Sequence, residues 1–223
     1  MPKIVLIRHA HSTANAAGVL SGQLAGVHLS KLGQEQATRL AERLGKLIIS
    51  QVQISPMERC SETLQPWLTK YGQNVSVIKD TNLIEVDYGK WSGKKLATLS
   101  RAKLWRRIQA QPSSVTFPDG ESLAQMQVRA MQSVHDFFAS DLELTIMVSH
   151  GDVIKAIVAN SLGMHLDDFQ RIVIDPASIT ILESNGGPIR LTRLNDSDST
   201  VSDLLQSKSK RGHLLGGGKG VTK

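Results

Sequence analysis

A single cysteine, Cys60, stands in 223 residues, which excludes an internal disulfide framework and any multi-cysteine metal site. Aromatic residues make up only 4%, too few for the stacking platforms that hold single-stranded nucleic acid. No run of about 18 apolar residues occurs, so no membrane span is expected. The first apolar run, residues 4–7, stops at Arg8 and is too short for a signal-peptide core. These absences predict a soluble, cytoplasmic protein. Acidic charge is also scarce. Lys and Arg number 26 against 20 Asp and Glu, a net charge of +6. Seven of the basic residues (Lys90, Lys94, Lys95, Arg101, Lys103, Arg106 and Arg107) fall in one stretch without an acid. Such a stretch suits either a solvated surface or attraction of an anionic substrate. No zinc-finger or RNA-module motif accompanies it, so nucleic acid is not expected as a partner.

Strand and helix signals alternate. Residues 3–7 form a short β-branched apolar run, as in a buried parallel strand. Ser30 stands as N-cap ahead of Leu32, Ala37, Leu40, Ala41 and Leu44 at helical spacing. Further strands are expected at 52–55, 75–79 and 144–149, and helices at 58–70 (strained at Pro66), 95–109, 121–140 and 152–162. A closing hairpin is expected at 179–183 and 189–194, around Asn185-Gly186-Gly187. The alternation predicts a three-layer α/β/α sandwich with a mostly parallel sheet. Residues 1–194 read as one domain with a lid insertion at about 90–120. Composition then shifts to Asp, Ser, Thr, Lys and Gly, which predicts a mobile tail over 195–223.

Ligands of such sheets sit beyond the carboxyl ends of the strands. Arg8-His9 follows the first strand and Ser149-His150-Gly151 the fourth. A neutral imidazole is a competent nucleophile toward phosphorus, and a transferring phosphoryl group needs positive clamps. Arg8 offers a planar fork, and Arg59 a second one after the second strand. Glu85, beyond the third strand, suits proton transfer to the leaving oxygen and from the attacking water. Taken singly, each of these residues also has a plain structural or surface use.

Together they carry a family pattern. The chain resembles the histidine phosphatase superfamily, the branch named for cofactor-dependent phosphoglycerate mutase. Arg8-His9-Ala10-His11-Ser12-Thr13-Ala14-Asn15 matches its opening motif, with Ala10 for the usual glycine. Ser21-Gly22, Leu29 to Ala37, Ser55-Pro56-Met57-Glu58-Arg59, Leu83-x-Glu85 with Gly89 and Gly93, Pro118-Asp119-Gly120-Glu121-Ser122 and Ser149-His150-Gly151 follow in the family's order. The resemblance implies that His9 becomes phosphorylated, that Arg8, Arg59 and His150 bind the phosphoryl group, and that Glu85 is the acid/base. Asn15, Ser21, Gly22 and Gly151 would line the pocket. It implies no metal, no cofactor and a small phosphorylated metabolite as substrate.

Mutases of this branch carry a longer insertion with a Leu-Asn-Lys pattern and an Arg-Arg-Ser pattern. Here Lys94-Lys95-Leu96 and Arg106-Arg107-Ile108 stand instead, and only 65 positions separate Glu85 from His150. Hydrolysis is therefore expected, with mutase-type transfer as the alternative. His9-x-His11 also resembles the start of metal-dependent amidohydrolases, but the chain is short for their barrel of about 250 residues. A silent phosphoprotein-binding module would lack the nucleophile or an arginine, and none is missing.

Overall fold

The computed structural model describes residues 1–206. In chain order it contains β1 (Lys3–Arg8), α1 (Thr13–Ala16), α2 (Lys31–Leu44), β2 (Gln51–Ile54), α3 (Glu58–Tyr71), β3 (Ser76–Lys79), α4 (Leu96–Leu99), α5 (Lys103–Ala110), α6 (Leu123–Phe138), β4 (Leu144–Ser149), α7 (Gly151–Ser161), β5 (Ile179–Glu183), β6 (Arg190–Asp196) and α8 (Val201–Gln206). The six strands form one sheet in the order β3-β2-β4-β1-β5-β6. The first four run parallel, and β5 and β6 close the edge as an antiparallel hairpin.

Both faces of the sheet are covered, which is why β1 is a continuous apolar run. Its Ile4 and Leu6 face a core shared with α6 and α7, while Val5 and Ile7 face one shared with α2 and α3. The three-layer α/β/α architecture is thus the one expected from the alternation. Ser30 caps α2 by accepting from the Gly33 N–H, and Ser122 caps α6 in a reciprocal box with Gln125. α3 runs through Pro66 without ending.

Two segments differ from the sequence reading. The helix expected over 95–109 is broken into α4 and α5. Leu99 and Ile108 are both buried in the α6/α7 core. Nine positions apart, they would fall on opposite sides of one continuous helix of 3.6 residues per turn. The insertion is also less a free lid than a cap on that core, since Trp91, Val115 and Phe117 are buried with them.

The tail assignment also starts too early. Residues 195–196 complete β6, and α8 buries Val201 and Leu204 against the α2/α3 core. Three apolar residues at helical spacing, Val201, Leu204 and Leu205, outweigh the polar composition around them. Residues 207–223, the rest of the assigned tail, lie outside the described residues. Leu204→Ala should therefore cost about 2–3 kcal/mol in denaturant unfolding. An unchanged midpoint would mean that α8 is not part of the fold.

Candidate active site

β1 and β4 are adjacent and parallel, with Arg8 opposite Ser149. The next residues along, His9 and His150, therefore leave the sheet side by side. The His9 N–H donates to the Ser149 carbonyl at 2.9 Å, and the two rings meet edge to face at 5.2 Å between centroids. Arg59 reaches the same place from the first turn of α3 and is fully buried. Glu85 arrives from the loop after β3.

Hydrogen bonds define which nitrogen of each histidine is free. His9 Nδ1 lies 2.7 Å from the Ala10 carbonyl. A carbonyl only accepts, so Nδ1 carries the proton and Nε2 keeps its lone pair. Arg59 Nη2 lies 3.2 Å from His150 Nδ1, and a guanidinium only donates. His150 is therefore protonated on Nε2, which donates to Ser55 Oγ at 2.7 Å. Its Nδ1 is 3.7 Å from Glu85 Oε2, an approach of neutral imidazole to carboxyl rather than an ion pair.

Burial sets the protonation states. It pushes His9 down to about 3, with help from the Arg59 charge, and holds His150 well below the usual imidazole range for the same two reasons. Burial, then the nearby Asp152 carboxylate, raises Glu85 to about 7. At neutral pH the site thus combines an uncharged imidazole with a carboxyl that readily holds a proton.

Arg8 Nε and Arg59 Nε and Nη1 are buried without a hydrogen-bond partner among the described residues. Leaving such donors unsatisfied is costly, so their shared position marks an anion pocket. Arg59 is held in it by donating to the Gly22 carbonyl at 2.8 Å, and Arg8 by donating to the Ile174 carbonyl. Gly22 has φ +52°, a left-handed conformation that favours glycine, and a Cβ there would sit 2.8 Å from Ser92 Oγ. Ala10 is another matter. It has no positive φ, and its N–H donates to Thr63 Oγ1 at 2.8 Å, so the usual glycine is not needed there.

The structure brings Arg8, His9, Arg59, Glu85 and His150 together. A cavity of about 400 Å³ opens above them, lined by Arg8, His9, Asn15, Ser21, Gly22, Glu85 and Gly151. Arg59 and His150 stand behind it, fully buried. His11 does not join: it is not among the residues lining the cavity, it does not group with His9, Glu85 and His150, and its Nδ1 meets Ser30 Oγ at 2.8 Å. Among the described residues, His9, Glu85 and His150 do have ligand atoms within 4.8 Å of one another. Two guanidinium groups beside them, Arg59 fully buried and Arg8 partly so, oppose a cation there and favour an anion.

None of the seven basic residues of 90–107 lines the cavity, and Leu96 is that stretch's contribution. Sequence reasoning passed over Tyr88, Asp152, Lys155 and Gln170, which do line it. Tyr88 Oη donates to Asp152 Oδ2 at 2.9 Å, and Lys155 Nζ lies 3.3 Å from Asp152 Oδ1 and 3.2 Å from Gln170 Oε1. Asp152 and Lys155 were findable as the first polar residues of the helix that follows Ser149-His150-Gly151. Gln170 had no local signal.

The family model of the histidine phosphatase superfamily (branch 1) matches residues 4–197. Phosphoserine phosphatase 1 of Hydrogenobacter thermophilus is 31% identical over 185 residues, covering 82% of this chain and 86% of that protein. The 2,3-bisphosphoglycerate-dependent phosphoglycerate mutase of Thermoplasma acidophilum is 27% identical, covering 83% of this chain and 88% of that protein. A mycobacterial glucosyl-3-phosphoglycerate phosphatase, solved in complex with VO3, superposes with a TM-score of 0.78 at 27% identity, covering 88% of this chain and all of that one.

Proposed function

The chain belongs to the histidine phosphatase superfamily, and from that premise we propose that it is a phosphatase that hydrolyses a small phosphomonoester through a phosphohistidine on His9. One observation carries the reading. The free Nε2 lone pair of an uncharged His9 stands beside three guanidinium nitrogens without a partner among the described residues and a protonatable Glu85.

In the first step His9 Nε2 attacks phosphorus in line and the ester P–O bond breaks. Glu85 gives its proton to the departing oxygen, and the alcohol leaves. In the second step Glu85, now a carboxylate, takes a proton from water as the water oxygen attacks phosphorus. The N–P bond breaks, which releases phosphate and restores His9 and the Glu85 carboxyl. Arg8 and Arg59 supply positive charge to the equatorial oxygens throughout.

Mutase-type transfer is the second reading, supported by the Thermoplasma relative. The cavity supports hydrolysis, because no basic side chain of the insertion lines it to grip a second phosphate, and Lys155, which does line it, already meets Asp152 and Gln170. Release of inorganic phosphate from a monoester without any bisphosphate added supports hydrolysis. A requirement for bisphosphate, with isomerised product, supports the mutase.

Glu85 sets the pH dependence. It must hold its proton in the free enzyme, so kcat/KM for an alkyl phosphate should fall as pH rises through about 7. Glu85→Gln should abolish that limb. It should also lower kcat/KM by roughly 10²–10⁴-fold for alkyl phosphates and far less for nitrophenyl phosphate. Equal losses on both substrates would remove Glu85 from the acid role.

A further inference from the structure

All five N–H groups of Arg129, on α6, have partners. Nη1 donates to the carbonyls of Asn82 and Ile84, each at 2.7 Å. Nη2 donates to the Glu85 carbonyl at 3.1 Å and to Glu121 Oε1 at 2.6 Å, and Nε donates to Glu121 Oε2 at 3.0 Å. Glu121 extends the grip. Its Oε1 accepts from the Asp87 N–H at 2.9 Å, and its own N–H donates to the Asp87 carbonyl at 3.0 Å. The two side chains therefore hold the backbone at 82, 84, 85 and 87, on both sides of Glu85.

The Glu85 carboxyl itself is held lightly. Oε1 accepts from the Val86 N–H at 3.0 Å, and Oε2 is 3.7 Å from His150 Nδ1, beyond hydrogen-bond reach. No side chain donates to it among the described residues. Residues 84–88 also belong to no helix or strand that would fix them through a ladder. The place of this carboxyl is thus set by the backbone that carries it, which Arg129 on α6 and Glu121 just before α6 hold at four residues and Gln23 Nε2 holds at the Glu85 carbonyl, at 2.8 Å.

We propose that Arg129 and Glu121 are a positioning pair for proton transfer, holding the Glu85 carboxyl at the leaving-group oxygen. Neither lines the cavity, and Arg129, unlike Arg59, has no N–H left over for a substrate oxygen. The planar fork is what the role needs: only guanidinium can bond three carbonyls and both oxygens of one carboxylate at once. The inference rests on Glu85 as proton donor and goes beyond it by naming what aims the donor.

A displaced acid slows transfer to His9 only for those substrates that need its proton. The test is kcat/KM, which reads that transfer and not the later hydrolysis common to every substrate, across aryl phosphates whose leaving phenols run from strong to weak acids, ending in an alkyl phosphate. Arg129→Lys keeps the charge and loses the fork. We expect it to lose less than about threefold on dinitrophenyl phosphate and about 10²-fold on the alkyl phosphate, the size of effect a 1 Å misplacement brings. Glu121→Gln should show the same gradient with a smaller slope. Uniform loss along the series, in protein with wild-type circular dichroism, would reduce the pair to a structural strut and overturn the proposal. If Arg129→Lys does not fold, the Glu121→Gln gradient decides alone. Glu85→Gln on the same series separates the two levels. A flat Glu85→Gln profile removes the proton-donor reading itself. A graded one, with flat profiles for the pair, overturns only the positioning role.

Discussion

His9→Ala should lose roughly 10⁴–10⁶-fold in kcat, the scale on which removal of a covalent nucleophile is felt. The phosphoryl pocket should survive the change. Arg8 and Arg59 are held by the Ile174 and Gly22 carbonyls and not by His9. Inorganic phosphate should therefore still raise the melting temperature of the variant, as any ligand selective for the native state does. Retained turnover would remove His9 from the chemistry. Lost turnover together with a lost phosphate shift would mean that His9 shapes the pocket rather than attacks from it.

Arg59→Met should show the converse. Arg59 is fully buried, and two of its donors, Nε and Nη1, have no partner among the described residues. A buried cation so placed strains the resting protein and is satisfied by an oxyanion. Its removal should cost about 10²–10³-fold in kcat/KM, comparable to deleting an oxyanion-hole donor. The phosphate-induced rise in melting temperature should vanish, while the melting temperature without phosphate should not fall. Methionine fills a similar volume, and the relief of an unsatisfied charge offsets the lost bonds to Gly22 and His150. A variant that melts lower and still responds to phosphate would assign Arg59 to structure instead.

Arg8 and the two histidines were legible in the sequence because they sit on strand ends. Arg8-His9 and Ser149-His150 are local signals, and the parallel pairing of β1 with β4 makes them neighbours. The supporting groups were not legible, because their partners are set by tertiary contact alone. Arg129 lies in an amphipathic helix, where one more arginine reads as a solvated face. Its function emerges only when α6 is laid beside residues 82–85. Lys155 supplies positive charge to the cavity from α7, while the conspicuous basic run of 90–107 lies outside it. Charge clustering in sequence reports on the surface, and burial against a strand end reports on the site. Residues 195–206 teach a related point. Polar composition suggested a tail, yet Val201 and Leu204 were enough to dock a helix.

The central claim is that phosphorus passes through two displacements, first to His9 and then to water. Stereochemistry at phosphorus reads this without any need for the intermediate to accumulate. Each in-line displacement inverts the centre, so two in succession restore it. Hydrolysis of a phosphorothioate monoester made chiral by oxygen isotopes, in water carrying the third isotope, should give product of retained configuration. Inverted product would mean that water attacks the ester directly, and would contradict the phosphohistidine account.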